Sequence, residues 1–236
     1  MSPTTWTPTA LASEARAWRG SAWRVVEAQH EASTLKLVDS AAEQRLLEQL
    51  LEAAKPPLPA AARGLHYLLA TPFRYPPLPS GSRFRAAGEP GVFYGADRLA
   101  TACAEIGYWR SRFLADASGL TRLEPVAQTA FRTSIATSAI DLRRPPLSAD
   151  AARWSAPDDY RHTQALARCA REANLGAIRY RSVRDPAHGA CTALLLPEGF
   201  ASPRPVGATQ TWWLAVQPGR ALWRRGDEQL AFDYTA

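Results

Sequence analysis

Short apolar, β-branched segments are spread along this chain between helices and tight turns, without the regular strand–helix alternation of a parallel sheet. Three of them follow one another in the last third of the chain, and Gln217-Pro218-Gly219-Arg220 then turns into a further strand. This order predicts an α+β fold. The predicted strands are residues 23–26, 92–94, 128–142 (a strand or a hairpin), 177–180, 191–196, 211–216 and 221–225.

The first strong helix signal lies before a proline pair. Ser40 and Glu43 have the spacing of a capping box, a stripe of four leucines follows them, and Pro56 ends the helix. Residues 55–80 are proline-rich and contain several aromatic side chains. We expect them to form an ordered but mostly irregular connection.

Two more helices are predicted farther along the chain. Asp97 stands where it would cap a helix that runs to about residue 116, with apolar side chains at helical spacing. Another helix is expected to begin at a cap formed by Asp158 or Asp159. It should stop at residues 174–176, where an asparagine and a glycine supply a C-terminal signal.

The chain has 236 residues and no internal repeat or obvious domain boundary. We expect one domain over residues 1–236, with a core at about 23–225 and residues 1–22 as an N-terminal extension. No stretch is apolar for long enough to be a signal peptide or a membrane span, so a cytoplasmic protein without membrane contact is expected. The three cysteines are far apart and the four histidines lack zinc-site spacing, so we expect neither a disulfide framework nor a bound metal.

The formal net charge is +6, and all but two of the 28 basic residues are arginine. Guanidinium groups bind phosphate oxygens in a bidentate manner. However, the arginines are scattered, and no zinc-finger or helix-turn-helix pattern accompanies them, so direct DNA binding is not expected. Charge alone leaves a nucleotide, a nucleic acid or an acidic partner protein open as the ligand. A non-catalytic basic module that binds nucleic acid or a partner therefore remains an alternative.

A glycine-hinged loop carries the first candidate ligand groups. Ser82, Arg83 and Arg85 lie in the run Gly81-Ser82-Arg83-Phe84-Arg85, which would offer two guanidinium groups and a hydroxyl to a diphosphate. Tyr94 follows in an apolar strand and could stack on a flat heterocycle. Neither a GxxxxGK[ST] phosphate loop nor a GxGxxG fingerprint is present.

Glu105 lies among small apolar residues of the predicted second helix, where a carboxylate needs a partner or a purpose. The structural alternative is an ion pair within the helix, with Arg110 or Arg112. Farther along, Tyr180-Arg181-Ser182-Val183-Arg184 places a hydroxyl between two arginines at the end of a predicted strand.

Together these residues resemble the RES-domain family, which is named for an Arg, a Glu and a Ser. The family pattern has a glycine-led Gly-Arg-aromatic run, a glycine, a Tyr, and a Glu eleven residues after the Tyr. Its Ser lies in a Tyr-x-Ser-x-Arg strand end. The resemblance covers about residues 23–196, although Arg85 stands where the family usually has Asn. The matching positions are Arg83, Gly88, Tyr94, Glu105 and Ser182.

The resemblance implies an ADP-ribosyltransferase-like fold with a split β-sheet core and flanking helices. It also implies a toxin that uses NAD⁺ as its substrate and cleaves the nicotinamide–ribose bond. The ADP-ribose would pass to water, phosphate or a protein, of which phosphoribosyl pyrophosphate synthetase is one candidate. The implied partner is a co-encoded helix-turn-helix antitoxin, in a heterotetramer or a larger assembly.

The resemblance and the chemistry of NAD⁺ also suggest roles for the candidate residues. Glu105 would stabilise the positive charge that develops on the ribose, and Tyr94 would stack on the nicotinamide or ribose. Ser182 would fix the nicotinamide ribose or amide by hydrogen bonding. The expected diphosphate ligands are Arg83 with Arg74 or Arg85, and the neighbouring Tyr75 and Ser82 complete the predicted binding set.

Overall fold

The computed structural model describes residues 5–28, 40–76, 79 and 81–234. Eight strands and six helices are defined in these ranges, and they confirm the predicted α+β class. The strands are β1 (Arg16–Glu27), β2 (Phe93–Ala96), β3 (Leu123–Asp141), β4 (Ala177–Arg181), β5 (Ala190–Leu194), β6 (Gln210–Gln217), β7 (Arg220–Arg225) and β8 (Glu228–Asp233). The helices are α1 (Pro8–Glu14), α2 (Ala41–Ala53), α3 (Tyr67–Arg74), α4 (Leu99–Asp116), α5 (Ala151–Trp154) and α6 (Arg161–Glu172).

The sheet is mixed and splits along the long strand β3. One edge of β3 pairs with β1 from Gln128 to Ala139. The other edge pairs first with β6, up to Ala130, and then with β4 from Ala139 onward. Between these two stretches no described strand pairs with this edge, and its backbone contacts are an isolated bridge from Ile135 to Phe200 and hydrogen bonds from the N–H groups of Ala201 and Val206. Strands β6, β7 and β8 therefore diverge from strands β4, β5 and β2, and among the strands of the described ranges only β3 and β4 pair in parallel.

Pairing of β1 with β2 closes a ring of five strands. The order around the ring is β1, β2, β5, β4 and β3, and the β1–β2 contact is a single pair, Trp23 with Ala96. Apolar side chains fill two clusters. One cluster includes Phe73, Phe93, Phe131 and Phe200, and the other lies between the sheet and helices α4 and α6.

Most predicted elements are confirmed, whereas two predicted helix caps are wrong and two elements were missed. Neither Asp158 nor Asp159 is the N-cap of α6, because its N-cap residue is Tyr160, whose side chain makes no capping hydrogen bond. The described part of residues 55–80 is ordered and largely irregular, as predicted, but the sequence missed helix α3, which contains Pro72. Asp97 does not cap α4, since its carboxylate forms a bidentate ion pair with Arg179 (2.6 and 2.7 Å). Strand β8 was not predicted, although the hairpin that joins it to β7 is regular.

The described residues before Trp23 belong to the same fold. Strand β1 begins at Arg16, and helix α1 packs against α6 with Leu11 fully buried. The folded core thus begins earlier than the residue at which the sequence pattern placed its start. None of the described helices combines the length and apolar character needed to cross a membrane.

Candidate active site

One cavity of about 780 Å³ opens between α4, the strands β1 and β2, and two loop segments. Of the eight site residues predicted from the sequence, four line it: Ser82, Arg83, Tyr94 and Glu105. The other polar and aromatic side chains of its lining are Trp23, Arg24, Tyr108, Trp109, Arg112, Asp116, Asp158, Asp159, Tyr160, Arg161, Gln164, Tyr180 and Arg184.

Glu105 is hydrogen-bonded to Ser182, which lies 77 residues later in the sequence. The Ser182 hydroxyl lies 2.5 Å from Glu105 Oε1 and is buried. Its oxygen also accepts hydrogen bonds from the backbone N–H groups of Arg184 (3.2 Å) and Asp185 (2.9 Å). A hydroxyl has one proton and two acceptor sites. Because both acceptor sites are occupied, the proton points to Glu105, and that carboxylate oxygen must act as an acceptor.

Opposing effects act on the pKa of Glu105. Burial raises the pKa of Glu105 above the ordinary glutamate range, while the Ser182 hydrogen bond and the nearby charges of Arg83 and Arg184 act to lower it. Asp185 acts in the same direction as burial. The site therefore holds a desolvated carboxylate next to two cations, a combination typical of functional carboxylates.

The alternative interpretation of Glu105, an ion pair within α4, is excluded by the partners of the two candidate arginines. Arg110 pairs with Glu27 on strand β1. Arg112 pairs with Asp116, one turn farther along the helix, at 3.4 Å. Glu105 instead reaches across to the segment after β4.

Residues 81–85 form a tight turn at one wall of the cavity, as the sequence predicted. Ser82 and Arg85 exchange backbone hydrogen bonds of 2.7 and 3.1 Å. Gly81 has a φ of +68°, and a Cβ there would lie 2.3 Å from the carbonyl oxygen of Arg85. The Tyr94 hydroxyl lies 2.8 Å from Ser82 Oγ and accepts a hydrogen bond from the Phe84 N–H at 3.0 Å. The Tyr94 hydroxyl thus anchors the turn, while the tyrosine itself lines the cavity.

One face of α6 holds this turn from behind. Gln164, Arg168 and Arg171 follow one another at helical spacing, and Gln164 Nε2 donates to the carbonyl oxygen of Ser82 at 3.1 Å. Arg168 and Arg171 both bind the carboxylate of Glu89, at 3.1 and 3.2 Å. The turn is therefore preorganised by side chains that the sequence did not connect with it.

Arg83 and Arg184, whose charges act on Glu105, both bind backbone carbonyl groups of the segment at residues 154–157. Arg83 Nη1 donates to the carbonyl oxygens of Trp154 (3.0 Å) and Ala156 (2.9 Å), and its guanidinium lies over the Tyr160 ring. Arg184 Nη2 donates to the Pro157 carbonyl oxygen at 2.5 Å. Each arginine uses one terminal nitrogen here.

Most of the remaining N–H groups of Arg83 and Arg184 make no hydrogen bond with the described residues. Among the described residues, the other nitrogen atoms of Arg83 have no hydrogen-bond acceptor. Arg184 adds only a 3.2 Å contact of the same Nη2 atom with Asp158, and its guanidinium stacks over the Tyr108 ring at 3.6 Å. Both arginines thus keep free N–H groups at the cavity.

Arg24 is a cavity residue that sequence reasoning missed. It was interpreted only as part of the opening strand, yet it lines the cavity, and burial lowers the pKa of its guanidinium to about 10. Its Nη1 donates to the Tyr94 carbonyl oxygen at 2.8 Å, whereas its buried Nε has no partner among the described residues. An arginine inside an apolar strand segment was the available signal, because burying an unpaired charge is costly.

Four predicted site residues do not line the cavity. Ser182 lies beneath Glu105. Arg85 donates to the carbonyl oxygens of Glu89 (3.0 Å) and Tyr75 (2.9 Å), and Arg74 Nε donates to that of Pro56 (2.6 Å). Arg85 therefore braces the turn and Arg74 binds the preceding segment. Within the described part of the chain, no three His, Cys, Asp or Glu side chains are grouped as metal ligands.

Comparison with known proteins gave a family match and a similarity to solved structures. The family model described as RES domain matches residues 57–217, which is more than half of the chain. A chain in a crystal structure of the M. tuberculosis MbcT–MbcA toxin–antitoxin complex is similar at 13% sequence identity and a TM-score of 0.47. The similarity covers 88% of this chain and 92% of that chain. A search of curated proteins gave no match.

Proposed function

Because the chain belongs to the RES-domain family, we propose that it is the toxin of a toxin–antitoxin pair and consumes NAD⁺ by breaking the nicotinamide–ribose bond. One observation carries the proposal. A single cavity contains a desolvated carboxylate, Glu105, together with three arginines that keep uncommitted N–H groups, Arg24, Arg83 and Arg184. NAD⁺ is a substrate here, and the proposal requires no metal.

The three arginines suit a diphosphate. Guanidinium groups form charge-assisted hydrogen bonds with phosphate oxygens in a forked geometry. Arg83 is the main candidate, since the turn that carries it is held by Tyr94 and by α6. Ser82 would add a hydroxyl. We assign Arg85 and Tyr75 to bracing this turn rather than to direct contact with phosphate.

Glu105 suits the reaction at the ribose carbon. When the carbon–nitrogen bond breaks, its electron pair leaves with the nicotinamide ring, which loses its positive charge, so no general acid is needed. Positive charge then develops on the ribose, as in glycoside hydrolysis. A fixed carboxylate stabilises that charge, and Ser182 keeps the carboxylate in place. The ring of Tyr94 would stack on the nicotinamide or ribose.

The acceptor of the ADP-ribose defines the finer class of enzyme. An oxygen of water, phosphate or a protein side chain would form the new bond to the ribose carbon and release its proton to solvent. The corresponding activities are NAD⁺ glycohydrolase, NAD⁺ phosphorylase and protein ADP-ribosyltransferase. A protein acceptor such as phosphoribosyl pyrophosphate synthetase remains part of the proposal. We place the enzyme in the cytoplasm, where NAD⁺ is available to it.

The proposed partner is a co-encoded helix-turn-helix antitoxin. A chain that drains NAD⁺ cannot act freely in its own cell, so an inhibitor should be made beside it. Helix-turn-helix proteins usually dimerise on DNA, so at least two copies of each chain are expected. Co-expression with the neighbouring reading frame, followed by light scattering, measures this stoichiometry. A purely monomeric toxin that gains no partner would contradict this part of the proposal.

The decisive experiment is incubation of the purified protein with NAD⁺, with and without cell extract. Free nicotinamide and labelled ADP-ribose on protein are then quantified. We expect nicotinamide release by the wild type and a loss on the order of 10²–10³-fold in Glu105→Gln, which removes one charge at nearly constant shape. Glu124→Gln is the matched control, because Glu124 is exposed and pairs only with Arg122.

The same variants separate the proposal from a non-catalytic basic module. Such a module would bind polyanions in a salt-sensitive manner and would be indifferent to the change at Glu105. Normal nicotinamide release by Glu105→Gln would contradict the mechanism. No nicotinamide release and no protein modification by the wild type would contradict the proposed function.

A further inference from the structure

Helix α4 is joined to the segment after β4 at two points. Residues 182–189, here called the 182–189 turn, contact two side chains that are four residues apart on α4 and therefore share one helix face. Glu105 accepts the hydrogen bond from Ser182 at 2.5 Å. One helical turn earlier, Thr101 Oγ1 donates to Asp185 Oδ2 at 2.7 Å.

Asp185 connects the two points within the 182–189 turn. Its backbone N–H donates to the Ser182 hydroxyl at 2.9 Å, which helps to direct the hydroxyl proton toward Glu105. Its carboxylate accepts hydrogen bonds from the backbone N–H groups of Ala187 (2.9 Å) and Gly189 (3.1 Å). The residue that binds Thr101 is thus the one that orients Ser182.

The Thr101–Asp185 contact is buried and charged. Thr101 is fully buried and Asp185 is 4% exposed. Although burial acts to raise it, the hydrogen bonds from Thr101, Ala187 and Gly189 and the charge of Arg98 hold the pKa of Asp185 below its ordinary value. Asp185 is therefore ionised at neutral pH, and hydrogen bonds to an ionised acceptor are the stronger kind.

Gly189 permits this close approach. A Cβ on residue 189 would lie 2.1 Å from Thr101 Oγ1 and 2.8 Å from Asp185 Oδ2. No real Cβ tolerates such distances, so any larger residue would push α4 and the 182–189 turn apart. The absence of a side chain at position 189 is thus coupled to the Thr101–Asp185 hydrogen bond.

We propose that Thr101 and Asp185 are positioning residues for Glu105, and that their hydrogen bond sets the separation at which the Ser182 hydroxyl reaches the carboxylate. The catalytic part of this inference rests on the proposed function, in which Glu105 acts on the substrate. Neither residue lines the cavity, so both act through Glu105 and Ser182 and not by touching the substrate.

The first test compares two substitutions at one position. Thr101→Val removes the hydroxyl at nearly constant shape, and Thr101→Ser keeps it. A small misplacement of a catalytic group is costly, so we expect kcat for NAD⁺ cleavage to fall about ten- to a hundredfold in Thr101→Val with KM nearly unchanged. Thr101→Ser should retain most of the wild-type kcat.

Thr192→Val is the matched control for buried hydroxyl loss. Thr192 is also fully buried, and its hydroxyl binds Arg179 at 3.0 Å and has no contact with Glu105. We expect this variant to lose stability and to keep kcat. A fall in kcat of the same size in Thr192→Val would assign the effect to general destabilisation and overturn the inference.

The second test does not require activity. Carboxyl-¹³C NMR titration of protein with labelled glutamate reports the pKa of Glu105, and the resonance is assigned by its loss in Glu105→Gln. The polar and charged groups that act on this carboxylate are Ser182, Arg83, Arg184 and Asp185, and the titratable groups coupled to it from β4, β5 and the segment after β8 are Tyr180, Cys191 and Tyr234. Thr101→Val should raise the pKa in the same direction as Ser182→Ala, because both weaken a hydrogen bond that lowers it. Gly189→Ala, which keeps both bonding groups but separates them, should act likewise.

These experiments distinguish a failure of the positioning role from a failure of the proposed function. An unchanged Glu105 pKa in both Thr101→Val and Gly189→Ala overturns the positioning role, whether or not the wild type releases nicotinamide. Lack of nicotinamide release by the wild type overturns the proposed function, and the titration still decides the role of Thr101 and Asp185.

Discussion

Glu105 combines burial with a hydrogen bond from Ser182 and two facing cations, and this determines how the proposed activity depends on pH. The ionised form is the one that stabilises positive charge, and activity is lost as pH falls through the pKa of Glu105. Because burial raises the pKa of Glu105 above the ordinary glutamate range, the acid limb of kcat/KM should have its midpoint above that range. A midpoint within or below the ordinary glutamate range, measured with NAD⁺ across the pH range, would contradict this description of Glu105.

Arg83 offers a second prediction for a single residue. Arg83→Lys keeps the charge but loses the forked geometry, so NAD⁺ binding should weaken by roughly ten- to a hundredfold. Isothermal titration in the Glu105→Gln background measures this without turnover. Arg122→Lys is the control, because Arg122 is exposed, pairs with Glu124 and does not line the cavity. Equal weakening in both variants would argue against a special role for Arg83.

At the candidate site, residues were predictable from the sequence where the family resemblance pointed to them. The spacing of Arg83, Tyr94 and Glu105 places a loop, a strand and a helix in succession, and all three residues line one cavity. The roles of Arg24 and Asp97 were not predicted, because their partners are distant in sequence. Asp97 stands at a typical helix-cap position in the sequence. Its carboxylate instead binds Arg179, which lies 82 residues later.

At the scale of elements, the turn at residues 81–85 shows how backbone conformation supports the site. Gly81→Ala should destabilise the protein and abolish most NAD⁺ binding, because the new Cβ would meet the Arg85 carbonyl oxygen. Gly88 is the matched control, since its φ of +78° is also positive but nothing lies within 4 Å of a Cβ there. Gly88→Ala should cost about 1–2 kcal/mol of conformational strain and leave binding intact. Urea denaturation and calorimetric titration of both variants test the difference.

Most helix and strand positions were predicted from local sequence patterns. The features that were missed depend on contacts between residues that are distant in the sequence. The Ser40 cap was predicted correctly, and its hydroxyl accepts the Glu43 N–H at 3.2 Å. Helix α3 was missed because the prolines around it indicated an irregular segment, yet Leu69 and Phe73 of α3 are buried in the core. The loop at residues 155–160 carried no sequence signal as a cavity wall, because the side chains that hold it there, including Arg83 and Arg184, come from other parts of the chain.

At the scale of the whole molecule, we expect helix α1 to contribute to the free energy of unfolding. Leu11 is completely buried, so Leu11→Ala should lower the free energy of unfolding by about 2–5 kcal/mol. Leu46→Ala, on helix α2, should change it by less than about 0.5 kcal/mol, because Leu46 is 56% exposed. Chemical denaturation compares the two variants. Similar small effects would mean that residues before strand β1 contribute little to the core.

The cavity joins parts of the chain that a ribosome makes at very different times. Arg24 emerges early, while Ser182 and Arg184 come about 160 residues later, an interval of roughly 8–32 s at the usual speed of bacterial translation. During that interval the nascent polypeptide lacks the hydroxyl and the second cation that Glu105 requires. A growing chain therefore cannot complete the candidate site until residues 182–184 have been made. Under the proposed function, this delay would give a co-translated inhibitor time to fold before the site is complete.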